Sequence, residues 1–121
     1  MGDYKLGEIE ARFADLIWKH EPLTSGELVK LAQESLSWKK STTYTMLKRI
    51  CEQQLFQNEN ACVTSLVSRD EYLQSQGEQF LEQNFGGSIP SFLAAFMDRR
   101  KLTRKQIEEI RDMIDRYEED Q

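Results

Sequence analysis

Residues 39–50 read KKSTTYTMLKRI, and their side chains suit an anionic surface that also offers hydrogen bonds. Lys39, Lys40, Lys48 and Arg49 are four cations with no acid among them, in a chain whose formal charge is −5. Ser41, Thr42, Thr43, Tyr44 and Thr45 set hydroxyl groups between those cations. Read as a helix from Lys40 or Ser41 to Gln54, the stretch turns Thr43, Leu47, Ile50 and Cys51 to one face. Ser41, Thr42, Tyr44, Thr45, Lys48 and Arg49 then lie on the other. Cations reach phosphate oxygens, and short hydroxyl side chains reach base edges, so the chemistry on offer is that of double-stranded DNA binding. Ser41, Thr42 and Tyr44 are the candidates for base edges; Lys39, Lys40, Thr45, Lys48 and Arg49 are the candidates for phosphate. A solvated polar helix face has a similar composition, so the neighbouring elements must decide between the two.

Upstream, GEIEARFADLIWK places Ile9, Phe13, Leu16 and Ile17 at helical spacing, and Pro22 ends that pattern. Thr24-Ser25-Gly26-Glu27 is a capping box that opens a second helix, with Leu28, Leu31 and Ala32 inward. SLSW at 35–38 is a turn before the basic helix. Downstream, Leu55-Phe56 and the β-prone Cys62, Val63, Thr64, Leu66 and Val67 flank turn-forming residues. They predict a hairpin with its tip at Asn58-Glu59-Asn60. Three short helices followed by a hairpin are the sequence signature of a winged helix-turn-helix. The fold is therefore mainly α with a small β-hairpin wing. Residues 55–68 hold no Lys or Arg, and Glu59 sits near the tip, so the wing is expected to serve packing more than phosphate contact.

The rest of the chain reads as three amphipathic helices. Ser68-Arg69-Asp70-Glu71 and Thr103-Arg104-Lys105-Gln106 are further capping boxes, and Gly86-Gly87 with Ser88 and Pro90 separates the first two helices. The first stripe comprises Tyr72, Leu73, Gln76, Phe80, Leu81 and Phe85. The second comprises Ile89, Phe92, Leu93, Phe96 and Met97, and the third Ile107, Ile110, Ile114 and Tyr117. So small a region covers little of its own apolar surface, and a second copy of the chain is the simplest cover. The expected organisation is a DNA-binding domain over 1–68 and a homodimerisation region over 69–121. Phe80, Leu81, Phe85, Ile89, Phe92, Leu93, Phe96, Ile107, Ile110 and Ile114 are its candidate contacts. Charge follows this division: 8 bases against 9 acids in the first part, 8 against 12 in the second. The run DRRK at 98–101 reads as a solvated helix end.

Other functions find little support. No apolar run approaches the roughly 20 residues of a membrane helix, and MGDYKLGEIEARF has neither a secretory h-region nor a myristoylation pattern after Met1-Gly2. Cys51 and Cys62 form no metal-ligand spacing, so no metal or other cofactor is expected, and a reduced, cytoplasmic setting is. The lone His20 has no nucleophile or acid partner by spacing and reads as a surface residue, so the chain is not expected to be an enzyme. The alternative to DNA binding is a winged-helix protein-interaction module, which the base-free wing and the acidic total make credible.

With these elements in place, the sequence resembles the penicillinase-repressor (BlaI/MecI/CopY) family of winged-helix transcriptional repressors over nearly its whole length. LGEIEARFADLIWK is similar to the family's first helix with its Trp at Trp18, LTSGELVKLAQ to the second, and STTYTMLKRI to the recognition helix. FGGSIPSFLAAFM followed by LTRKQIEEIRDMID resembles the Gly-Gly segment and the last two helices, and is the most specific part of the match. The resemblance implies a homodimer that binds a palindromic operator, commonly with TACA/TGTA-type half-sites. It also implies release by a regulatory protease that cuts an Asn-Phe bond after the Gly-Gly segment. The matching bond here is Ala95-Phe96, with alanine in place of asparagine. The copper-responsive branch has a C-terminal cysteine cluster, whereas this sequence reads DRYEEDQ there.

Overall fold

Side-chain hydrogen bonds fix where most of the helices begin. In the computed structural model, which describes residues 4–99 and 101–121, the chain runs α1 (Glu8–His20), β1 (Leu23–Thr24), α2 (Ser25–Leu36) and α3 (Lys40–Glu52). It continues through β2 (Phe56–Glu59), β3 (Cys62–Ser65), α4 (Arg69–Phe85), α5 (Ile89–Arg99) and α6 (Arg104–Glu119). Met1-Gly2 and, in the basic run, Arg100 and the side chain of Arg99 lie outside what is described. All three predicted capping boxes form. Thr24 Oγ1 accepts from Glu27 N–H at 3.0 Å, Ser68 Oγ from Glu71 N–H at 3.1 Å, and Thr103 Oγ1 from Gln106 N–H at 3.1 Å. Each Glu or Gln side chain reaches back to the N–H of its cap, satisfying two end donors at once.

The core of the N-terminal unit is built from α1, α2, α3 and the sheet. Phe13, Ala14 and Ile17 of α1, Leu28 and Ala32 of α2, and Leu47 and Ile50 of α3 are buried with Leu55, Phe56 and Val63. Trp18 packs its ring 5.0 Å from Phe56 and 5.5 Å from Tyr72, while its indole N–H donates to Val67 O at 2.9 Å. That bond lets a large aromatic ring be half-buried against the core without stranding its one polar group. Ile9, predicted inward, is 49% exposed, because the apolar stripe of α1 drifts off the core one turn before Phe13.

The sheet is three-stranded and antiparallel, in the order β1-β3-β2. Two details depart from the sequence reading. Leu23-Thr24 is a strand, paired with Val63 and Cys62; two residues are too few to carry an alternation signal. The hairpin tip is Asn60-Ala61, since Asn58 and Glu59 remain in β2 opposite Val63 and Cys62. Both tip residues have positive φ, 54° and 62°, as a two-residue turn of the primed kind requires. Asn favours that conformation and Ala does not, which is why the sequence pointed one step too early.

A boundary between two compact units falls between Gln79 and Phe80, inside α4. In the C-terminal unit Gly86 and Gly87 take φ of 57° and 79°, where a side chain would be strained, and so end α4. Ser88 Oγ accepts from Ser91 N–H at 3.1 Å at the start of α5. Phe80, Phe85, Phe92 and Phe96 form a ring cluster with neighbouring centroids 5.6–6.2 Å apart. Of the predicted contact residues, Leu81, Phe85, Phe92, Leu93 and Ile110 are half-buried, whereas Phe80, Ile89, Phe96, Ile107 and Ile114 are exposed.

Candidate nucleic-acid interface

The third helix divides as its spacing predicts. Thr43, Leu47 and Ile50 are buried and Cys51 half-buried, while Lys39, Lys40, Ser41, Thr42, Tyr44, Thr45, Lys48 and Arg49 are all exposed. Burial of three evenly spaced residues against α1 and α2 sets the roll of α3, and the opposite face then points outward by geometry alone.

The start of α3 differs from the start of every other helix described. Its N-cap, Lys39, makes no side-chain cap, and its first turn holds no acid. The first main-chain bond inside it runs from Thr43 N–H to Lys39 O at 3.0 Å, which leaves the N–H groups of Lys40, Ser41 and Thr42 without an acceptor among the described residues. Three amide donors at the positive end of a helix dipole, beside two lysines, have the chemistry that suits an anion such as a phosphate. Ser41 and Thr42 add hydroxyls with no recorded partner among the described residues. Thr45 commits its hydroxyl hydrogen to Ser41 O at 2.9 Å.

Two residues of the outer face are tied to the protein. The Tyr44 hydroxyl donates to Ser25 Oγ at 3.3 Å, and the residue is 37% exposed. On the opposite edge Arg49 Nη1 lies 3.8 Å from Glu10 Oε2 of α1, and Lys5 N–H donates to Gln53 Oε1 at 3.1 Å. Tyr44 and Arg49 therefore brace α3 on either side, and the side chains of Ser41, Thr42 and Lys48 between them have no partner among the described residues. Ser25 and Glu10 escaped the sequence reading. Both lie far from α3 in the chain, so no local pattern joins them to it, and Ser25 reads only as part of a capping box.

The wing is anchored more than it is charged. Ser25 N–H donates to Ala61 O at 2.9 Å, and Glu21 accepts from both the N–H and the hydroxyl of Ser65 at 2.8 Å. Between α3 and β2 runs a groove of about 320 Å³ lined by Tyr44, Leu47, Lys48, Cys51 and Asn58. Cys51 is half-buried there, and burial raises the pKa of its thiol. His20 is exposed, with Nδ1 2.9 Å from Leu16 O at the end of α1.

Three helices with an outward-facing third helix, closed by a small sheet and hairpin, define a winged-helix DNA-binding regulator. The chain belongs to the penicillinase repressor family, whose family model matches residues 6–116 and whose members are transcriptional repressors, not enzymes. It is 20% identical to a penicillinase repressor of Bacillus licheniformis over 117 residues, 93% of this chain and 91% of that one. It is 24% identical to a penicillinase repressor of Staphylococcus aureus over 104 residues, 83% and 82% of the two chains. It is likewise 20% identical to the methicillin resistance regulatory protein MecI of Staphylococcus aureus over 117 residues, 93% and 95%.

Proposed function

We propose that this repressor is a cytoplasmic homodimer that sets two copies of α3 into successive major grooves of a palindromic operator. The grooves would lie about 34 Å apart or a multiple of it. The observation that carries this reading is the open start of α3, where three amide donors, the hydroxyls of Ser41 and Thr42, and Lys39 and Lys40 share one acid-free edge. Ser41 and Thr42 read base edges, with Tyr44 at the margin. Lys39, Lys40 and Lys48 take phosphate, whereas Thr45, whose hydroxyl hydrogen is given to Ser41 O, does not. Functionally, residues 1–68 bind DNA and 69–121 hold the dimer, although the packing boundary lies further along α4.

Dimerisation is supported by the apolar side chains the single chain leaves open, Phe80, Ile89, Phe96, Ile107 and Ile114. A groove of about 570 Å³ lined by Leu93, Met97, Leu102, Ile107 and Ile110 together with Lys101 and Arg111 accompanies them. Soluble monomers rarely expose such contiguous apolar surface. Among the described residues, no helix is long and apolar enough to cross a membrane. Cleavage by a regulatory protease at Ala95-Phe96, both exposed on α5, would sever α6 from the rest of the chain. The separated protomers would each keep half of the phosphate contacts, and operator affinity would fall by mass action.

Fluorescence anisotropy on DNA from upstream of the gene, across a salt series, tests the reading. Lys39, Lys40 and Lys48 of two protomers predict that log K falls with log salt at a slope of about −5. Thr42→Ala should relax sequence preference, and Lys48→Ala should weaken specific and random DNA alike. Absent or salt-insensitive binding would instead favour a protein-interaction module, which the base-free wing with Glu59 at its end makes the second reading. Sedimentation returning the single-chain mass of 14.2 kDa at micromolar concentration would refute the dimer.

A further inference from the structure

Glu10 is the one described residue with a buried side-chain polar atom that has no hydrogen-bond partner. Its carboxylate is held at one oxygen, where Oε1 accepts from Gly7 N–H at 3.0 Å. The other oxygen, Oε2, is closed off from water and lies 3.8 Å from Arg49 Nη1. That separation is too long for a hydrogen bond but short for two opposite charges. The two side chains differ in setting, Glu10 being 17% exposed and Arg49 61%. A carboxylate oxygen shut away from water needs a compensating charge, and losing that charge costs more than an exposed contact returns. Arg49 is thus more tightly bound to its place than its exposure suggests.

We propose that Glu10 is a positioning residue for the DNA-binding face: it holds and neutralises Arg49, which acts as a strut between α1 and α3 and not as a phosphate ligand. This rests on the DNA-binding reading above and sharpens it, because it gives the reason that Arg49, a cation of the basic helix, stands outside the set that meets phosphate. The strut also has a counterpart, since Tyr44 on the other edge of α3 is tied to Ser25. Lys48, one residue before Arg49, pairs with no acid among the described residues and is available to phosphate.

The experiment compares Glu10→Gln, Arg49→Gln, the double variant and Lys48→Ala, by salt-series anisotropy on the same DNA and by urea unfolding. Each lost phosphate contact flattens the salt slope by about 0.9, so Lys48→Ala in a dimer should flatten it by about 1.8. Arg49→Gln should leave the slope unchanged while lowering the urea midpoint. Glu10→Gln should steepen the slope, by up to about 1.8, because two arginines are freed. Loss of structure alone gives no reason for that gain. The double variant should lose less midpoint than the two single losses added together. A slope flattened by Arg49→Gln as much as by Lys48→Ala would overturn the proposal, as would additive midpoint losses. If the unaltered protein showed no salt-dependent binding, the DNA-binding reading would fall, and the midpoint comparison would still judge the strut by itself.

Discussion

Ala61→Gly should make the protein more stable, and the size of the gain follows from the hairpin geometry. Ala61 has φ of 62° in a two-residue turn between Glu59 and Cys62. Holding an L-residue with a Cβ in the left-handed region costs about 1–2 kcal/mol. Glycine removes that strain but gives the unfolded chain more freedom, an opposing effect of about 0.5–1 kcal/mol. The Ala61 methyl is exposed, so little packing is lost, and its carbonyl keeps the 2.9 Å bond from Ser25 N–H. The net expectation is a stabilisation of about 0.5–1 kcal/mol, which for a unit of this size raises Tm by about 2–8 °C. Thermal and urea unfolding followed by circular dichroism will measure it. Protomer concentration must be matched, because association shifts apparent stability. An unchanged or lowered midpoint in both assays would refute the strain argument and with it the assignment of the turn to Asn60-Ala61.

Acid should weaken the fold partly through two capping glutamates. Glu27 and Glu71 have lowered pKa values because each carboxylate accepts a bond from its cap's N–H, Thr24 and Ser68 respectively, and then interacts with the cap's hydroxyl. Groups depressed on folding contribute stability above the ordinary glutamate pKa of about 4.3 and lose it as pH falls through their folded values. A Glu27→Gln/Glu71→Gln variant should therefore show a flatter decline of urea midpoint with acid than the parent; identical declines would contradict this. The two thiols should also separate kinetically. Cys62 is exposed, whereas Cys51 is half-buried and burial raises its pKa, so a thiol reagent at neutral pH should label Cys62 first. Equal rates for the two thiols, by mass spectrometry of a time course, would count against the packing of Cys51.

Elements that rest on local chemistry were readable from the sequence. The boxes at Thr24, Ser68 and Thr103 need only four residues each, and all three form as read. The roll of α3 was readable because Thr43, Leu47 and Ile50 share one helical face, and all three are buried. Features that depend on distant partners were not. Leu23-Thr24 becomes a strand only by pairing with Cys62 and Val63, and nothing within two residues announces it. The braces on α3 have the same origin: Tyr44 meets Ser25 and Arg49 meets Glu10 through the packing of whole helices. The C-terminal stripes were legible as stripes, yet Phe80, Ile89 and Ile114 remain exposed because a unit this small has no second layer to lay over them.

Ser25 gives the wing a task that needs no contact with a nucleic acid. Its N–H takes the carbonyl of Ala61 at the hairpin tip, and its hydroxyl receives the phenol of Tyr44. One small residue, through its main chain and its side chain, is thus the point on which the wing tip, the front of α2 and the flank of α3 all bear. With both bonds kept, a shift of the hairpin would be passed through Ser25 to the flank of α3. A wing without Lys or Arg would in this way bear on what α3 touches while supplying no cation of its own.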